Sequence, residues 1–341
     1  MSSSSRFTVI AALITIWAIF GFLDVRNFTY SGYSTDGNNL VTQVTDGGPA
    51  AAAGMQVGDQ IRSVGGVAVE DSRAAARRPR AGIGETRTFA VDRGTESVEF
   101  DLSYAAQPAS QTLTSYLGIV VGLLFLWMGL WAFRKAPNAH TRRLAIVGAL
   151  FGLVFTGGPY LTSYGLRMVV GAVVIFGVIV GFATLLHFLL AFPDKAEPNT
   201  RLVYGPAVLV GLVPVVFTIL QPDSTSGVNL FFRLLFGLFV LSYFGLGIVA
   251  MLRTWNGASP EHRERHGLTM MVLGVVLGMV PLLLANLLGL VAPRVVIPGS
   301  QYLGLLLGLI PITFALAAVK SASGGTAAAP AAAVPTAGEP D

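Results

Sequence analysis

Residues 46–66 read DGGPAAAAGMQVGDQIRSVGG. Gly47-Gly48 predicts a turn, and Pro49 suits the first turn of a short helix over Ala50–Ala53. Gly54 supplies the left-handed residue that ends such a helix. Gly58-Asp59 predicts a second turn, Gln60–Val64 a strand, and Gly65-Gly66 a reversal into Val67–Val69. Farther on, Phe89 and Val91 share one face of a strand. Asp92-Arg93-Gly94-Thr95 turns the chain, and Val98, Phe100 and Leu102 alternate again. These signals predict a water-soluble, β-rich unit of about 80 residues with one or two helices.

The rest of the chain has a different solvent. Of 341 residues, 53% are hydrophobic and only 12% charged, against about 25% charged in soluble domains. A spanning helix needs about 20 apolar residues. Eight windows qualify: Phe7–Leu23, Leu113–Phe133, Leu144–Tyr164, Met168–Phe192, Leu202–Leu220, Leu230–Leu252, Leu268–Val291 and Tyr302–Val319. The first has a long apolar run and no Ala-x-Ala site after it, so it reads as an uncleaved signal anchor. The last stretch, SASGGTAAAPAAAVPTAGEPD, has almost no large apolar residue and predicts a disordered tail.

Charge sets the expected orientation. Residues 24–110 carry a net charge of −3 and the remainder +7. An acidic soluble part is a poor candidate for nucleic acid. With the N-terminus inside, the inner short loops hold Arg6, Arg134, Lys135, Arg142, Arg143, Lys195, Arg201, Arg253, Arg263, Arg265 and Lys320. The outer edges hold only Arg167, Arg233 and Arg294. This bias predicts a multi-pass protein of the cell (inner) membrane, with both termini cytoplasmic and the soluble unit outside.

The soluble unit resembles a PDZ domain, in particular those of bacterial envelope proteases. The resemblance rests on Val41-Thr42-Gln43-Val44, Gly48-Pro49-Ala50, Ala53-Gly54-Met55, Val57-Gly58-Asp59-Gln60-Ile61 and Val64-x-Gly66. It covers residues 28–104 and implies an α/β fold to which a peptide, often a C-terminus, adds as a strand. By that pattern the carboxylate cradle lies at Tyr30, Ser31, Gly32 and Tyr33, and the pairing strand at Leu40–Val44, with Leu40, Val41, Thr42 and Val44. The flanking helix lies at Asp71–Arg78, with Ser72 and Ala76. Asp36-Gly37-Asn38-Asn39 between cradle and strand, and Pro79 at the helix end, depart from the pattern. A rigid spacer without a peptide ligand is therefore the competing reading.

Residues 186–193 read LHFLLAFP. Pro193 ends the helix, which puts His187 about 9 Å inside that end. The charged loop Pro260–His266 and Gly274 and Pro281 in the next span follow. Residues 113–320 thus resemble the multi-helix membrane sensor region of certain bacterial histidine kinases, where an HF-x-L-x-FP motif recurs, sometimes behind a PDZ domain. No kinase core follows here, so the resemblance implies a separate cytoplasmic signalling partner. His187 reads either as an intramembrane switch or as a neutral imidazole bonded to a neighbouring helix. Asn286 is the other polar residue in a span that could bond across helices. Glycines four apart, such as Gly118/Gly122, Gly148/Gly152 and Gly274/Gly278, predict close helix packing or a dimer face.

Enzyme signatures are missing from the sequence. His262 and His266 have the i, i+4 spacing of a zinc protease, but Arg263 stands where Glu is required and no third ligand is evident. There is no Gly-x-Ser-x-Gly elbow, no GxxxxGK[ST] loop, no paired carboxylates in the spans and no cysteine. No catalytic residue, metal or cofactor is expected.

The fold class expected is a membrane α-helical bundle of about eight transmembrane helices with an inserted extracytoplasmic α/β PDZ domain. Its parts are a signal anchor over 1–23, the PDZ domain over 24–110, seven helices over 111–320 and an Ala/Pro-rich cytoplasmic tail over 321–341. The expected function is non-enzymatic: an envelope sensor or adaptor binding a peptide or protein C-terminus, with membrane lipid as its surroundings. A carrier whose PDZ domain recruits partners, or an assembly scaffold, is the alternative.

Overall fold

The computed structural model describes residues 3–36, 38–220, 227–291 and 299–326. Helix α1 (Ser3–Asp24) leads through a 3-10 turn (Val25–Asn27) into the soluble unit. That unit runs β1 (Thr29–Tyr30), β2 (Tyr33–Thr35), β3 (Val41–Val44), α2 (Pro49–Ala52), β4 (Gln60–Val64), β5 (Val67–Ala68), α3 (Ser72–Arg77), β6 (Thr86–Arg93), β7 (Glu96–Ser103) and β8 (Ala105–Ala106). It lies between α1 and α4 (Ala109–Lys135). Strands β5-β4-β6-β7 form an antiparallel sheet, β2 pairs β3, and β1 pairs β8. The pairing Thr29↔Ala106 brings the chain's way in and way out together.

The core of this unit is Val41, Ala50, Met55, Ile61, Val64, Phe89, Val91 and Leu102. Phe89 pairs with Phe100 across the sheet, their rings stacked at 6.0 Å. Burying a side chain such as Phe89 completely stabilises by about 1.5–3 kcal/mol. Beneath this core Asp59 is also fully buried. Its carboxylate accepts from Arg93 Nε and Nη2 at 2.8 Å each and from the Gln56 amide at 2.8 Å. Arg93 Nη2 also donates to the Gly54 carbonyl, so one guanidinium ties the end of α2 to the β6–β7 hairpin.

The bundle continues with α5 (Ala139–Phe155), α6 (Tyr164–Ala191), α7 (Thr200–Leu220), α8 (Gly227–Gly257), the short α9 (Pro260–Arg265), α10 (Leu268–Val291) and α11 (Leu309–Thr326). A 3-10 segment (Ser300–Gly308) precedes α11. Among the described residues, seven helical segments are long and apolar enough to cross a membrane. The window Leu144–Tyr164, expected as an eighth span, is helical only to Phe155, and its helix has 17 residues. Gly157 and Gly158 take positive φ just before Pro159, which breaks the helix early. Ser321–Thr326, expected in the tail, extend α11 as helix. Residues 327–341 lie outside the described ones, as does Arg294.

Glycines set the contacts inside the bundle. A Cβ on Gly148 of α5 would lie 2.3 Å from the Phe125 carbonyl of α4, and one on Gly129 would lie 2.5 Å from the Leu144 carbonyl. A Cβ on Gly274 of α10 would overlap Thr313 of α11. Gly148 and Gly274 are consumed by packing within the chain, as the bundle reading of their spacing expects.

Two ends of the bundle are distinguished by their bonds. At one, the Tyr160 amide donates to Asp24 Oδ2, and Arg167 of α6 reaches α3 of the soluble unit. At the other, Arg134 bonds Thr8, Arg143 pairs with Glu197, Lys195 bonds Thr254, and His266 meets Asp194 and Ser321. The helix ends meeting there are those that carry the basic short-loop residues.

Candidate functional site

The first candidate is the groove between β2 and α3. Ser31 and Gly32 are held from behind: the Ala50 amide donates to the Ser31 carbonyl at 2.9 Å and the Thr45 amide to the Gly32 carbonyl at 2.8 Å. Gly32 has φ 80°, and a Cβ there would lie 3.1 Å from the Pro49 ring, so the turn requires glycine. Tyr33 pairs with Val44, and that pairing is flanked by the Thr45–Gly32 bond. In an antiparallel ladder this turns the Tyr33 N–H and C=O away from β3. Among the described residues β2 has β3 as its one strand neighbour, leaving its other edge toward α3.

The expected pairing strand needs correction. β3 has both edges taken: β2 on one, and on the other the bonds Val41 amide to Asp59 carbonyl, Gly58 amide to Val41 carbonyl, and the Leu40–Gln60 bridge. At Leu40 and Val41, therefore, no edge is left for an added strand. Val41 is core, Val44 packs against it, and Thr42 Oγ1 bonds the Ser34 carbonyl. The edge belongs to Tyr33–Thr35. The sequence departure at Asp36–Asn39 is the β2–β3 turn, where Asp36 Oδ1 accepts from the amides of Asn38 and Leu40.

The opposite wall is α3, capped by Asp71, whose side chain accepts from the Ala74 amide at 2.9 Å. Pro79 lies beyond the helix end and lines the groove. The groove has a volume of ≈ 540 Å³, with Tyr33 and Ala76 on its two walls. Tyr30 sits beside it in β1, and the Ser72 side chain lies outside the described ones. Burial pushes the Tyr33 hydroxyl up to about 12.

Four arginines line the same groove: Arg78, Arg80, Arg87 and Arg167. Arg87 is paired with Glu85 at 2.6 Å. Among the described residues no carboxylate lies within ion-pair distance of Arg78, Arg80 or Arg167. Arg78 donates to the Val64 carbonyl, and burial pulls its guanidinium below the ordinary value. Arg80 lies 5.0 Å over the Tyr160 ring. The arrangement can take an anionic end group beside an open strand edge.

Two groove residues come from the bundle. Tyr160 donates its hydroxyl to the Ala81 carbonyl at 2.8 Å. Arg167 donates to the carbonyls of Ala76 and Arg78 at 3.1 and 2.9 Å, capping the C-terminal end of α3. In the sequence Arg167 reads only as a topology charge. The signal for the rest was the run Arg77-Arg78-Pro79-Arg80 in an otherwise acidic unit.

His187 lies at the far end of α6. It is buried, with Nε2 2.9 Å from Glu197 Oε2 and Nδ1 3.3 Å from the Tyr204 hydroxyl. Glu197 also takes Arg143, and its carboxyl is held down at about 2, first by Arg143 and then by His187. His187 is thus a bonded member of a charged network. Phe188 and Phe192 of the same motif are buried in the core with Met271 and Phe314. The Asn286 side chain lies outside the described ones.

Residues 40–79 match the family model described as PDZ domain. The match takes in α2 and α3 but none of the membrane-capable helices. No curated protein and no solved structure shows significant similarity to the chain. Residues 40–79 are a PDZ domain, and the chain joins it to seven helices able to cross a membrane.

Proposed function

We propose that the chain is a non-enzymatic envelope sensor or adaptor. Its PDZ domain binds the C-terminus of a peptide or protein outside the membrane, and the bundle reports that occupancy to a cytoplasmic partner. The observation that carries this reading is the pair of hydrogen bonds that Arg167 of α6 donates to the carbonyls ending α3. The helix that walls the ligand groove is fastened to a helix whose other end holds His187, Glu197 and Arg143. A strand added to β2 must fit the width set by α3. Any change in that width pulls on α6. Transmission requires two helix arrangements that differ in ligand affinity.

The orientation in this proposal follows the basic residues: the end holding Arg134, Arg143 and Arg263 is cytoplasmic, and the PDZ domain is outside the inner membrane. In it α5, with the extended residues that follow it, makes an eighth crossing; its 17 residues span about 25 Å. A ligand carboxylate is drawn by Arg78 and Arg80, and its side chain lies over Tyr33 and Ala76.

The test uses the full chain in lipid nanodiscs against a display library of free C-terminal peptides. The expected result is enrichment of one C-terminal pattern, with affinity weakened at least about 10-fold by Ala76→Trp, a loss of about 1.4 kcal/mol. No enrichment, or binding indifferent to Ala76→Trp, counts against the groove as the ligand site.

A further inference from the structure

Beyond the PDZ domain, and independent of whether it binds a peptide, the far end of the bundle gathers two imidazoles and a carboxylate. Asp194 follows Pro193 at the end of α6, while His262 and His266 belong to α9 and its C-terminal cap. One ligand atom from each lies within 4.8 Å of the others. His266 Nε2 is 3.2 Å from Asp194 Oδ2, and the two imidazole rings are 4.3 Å apart. Donors at about 2.0–2.2 Å in tetrahedral array stand about 3.3 Å from one another. We propose that Asp194, His262 and His266 form a binding site for a borderline divalent transition-metal ion of the Zn²⁺ class, with the remaining position left to water.

Three features build the site. Ser321 of α11 lies 2.6 Å from His266 Nδ1. When its hydroxyl accepts from Nδ1–H, Nε2 turns a lone pair toward Asp194, and a cation between the two satisfies both. Next, α9 is fixed at each end. The Ser259 hydroxyl accepts from the His262 amide, and Gly267, with φ 65°, packs against Ala317 of α11. Finally, Asp194 is carried on a rigid support, since Phe192 is buried in the core two residues earlier. His266 is itself 4% exposed and Asp194 open to solvent, which gives the ion a protected side and a way in. The ligand types, imidazole and carboxylate, suit zinc and its first-row neighbours. Bound metal would clamp the α6–α7 loop and α9, with Ser321 holding His266 to α11. The missing third ligand of the His-x-x-x-His spacing is thus a residue 68 positions upstream of His262, without the glutamate a protease needs.

The experiment loads the full chain, purified in detergent through a tag without histidine, with Zn²⁺ and separately with Co²⁺. After dialysis the wild type is expected to retain one Zn²⁺ per chain, and Co²⁺ to give the intense visible bands of four-coordination. Asp194→Asn, an exposed isosteric change, and His262→Ala are each expected to weaken Zn²⁺ at least about 10-fold. Both should elute as wild type does on size exclusion. Retention well below one ion per chain in correctly eluting wild type, or unchanged affinity in either variant, overturns the proposal and leaves Asp194–His266 a plain ion pair.

Discussion

Arg93→Ala is expected to destabilise the soluble unit by about 3–5 kcal/mol. The reason is the position of its partner. The Asp59 side chain is 1% exposed, whereas that of Arg93 is 31% exposed. Removing the arginine leaves a charged carboxylate buried with one amide donor, from Gln56. Removing Asp59 instead leaves a guanidinium that reaches water, so Asp59→Ala should cost less although each substitution deletes three hydrogen bonds. The pH dependence follows. Hydrogen bonding from Arg93 holds the Asp59 carboxyl below its ordinary value, against burial, which raises it. A depressed carboxylate stabilises the fold above its unfolded value, about 3.9. That stability is lost as pH falls from there through the folded value. In Arg93→Ala, burial dominates, and stability should begin to fall at higher pH. Urea unfolding of residues 24–110, followed by circular dichroism across pH, measures both effects. A loss below about 1 kcal/mol in Arg93→Ala would show that the pair does not hold the fold.

Gly148→Leu is expected to abolish assembly of the helix bundle, because the first side-chain atom already meets the Phe125 carbonyl at 2.3 Å. Overpacking of a side chain against side chains costs about 1–3 kcal/mol. Here the neighbour is backbone, which cannot rotate away, so α4 and α5 must separate. Gly148→Ala should destabilise by about 1–3 kcal/mol despite the better helix propensity of alanine. Gly171→Ala on α6 is the comparison, since nothing lies within 4 Å of its added Cβ. It should be neutral or gain up to about 1 kcal/mol. Thermal aggregation of detergent-solubilised variants ranks them. Equal stability of Gly148→Ala and Gly171→Ala would contradict the close crossing and return Gly148 to the outer surface as a dimer face.

What was legible in the sequence was local. The turns at Gly47-Gly48, Gly58-Asp59 and Asp92–Thr95 are written in residues that carry their own backbone preference, so β4, β6 and β7 fall where the alternation places them. The open edge was not legible. Choosing between Tyr33–Thr35 and Leu40–Val44 depends on what pairs with β3, and its second neighbour is residues 58–61. Among the described residues, hydropathy found the seven membrane-capable helices but overran α5, because Gly157-Gly158-Pro159 leaves a window apolar while ending its helix. The most consequential contacts were the least visible. Arg167 meets Ala76 across 91 positions, Tyr160 meets Ala81 across 79, and His266 meets Asp194 across a whole helix pair. No spacing rule joins such residues. Only packing of the bundle does.

In the proposed arrangement a ligand-binding head and a basic, metal-binding face lie on opposite sides of one membrane. The chain has no cysteine, so single-cysteine variants test this without further engineering. Thr95→Cys in the β6–β7 turn and Glu264→Cys in α9 both place the thiol at an exposed position. With a membrane-impermeant maleimide, intact cells should label Thr95→Cys fully, and Glu264→Cys only after permeabilisation. Labelling of Glu264→Cys in intact cells with Thr95→Cys protected, or labelling of both, contradicts it.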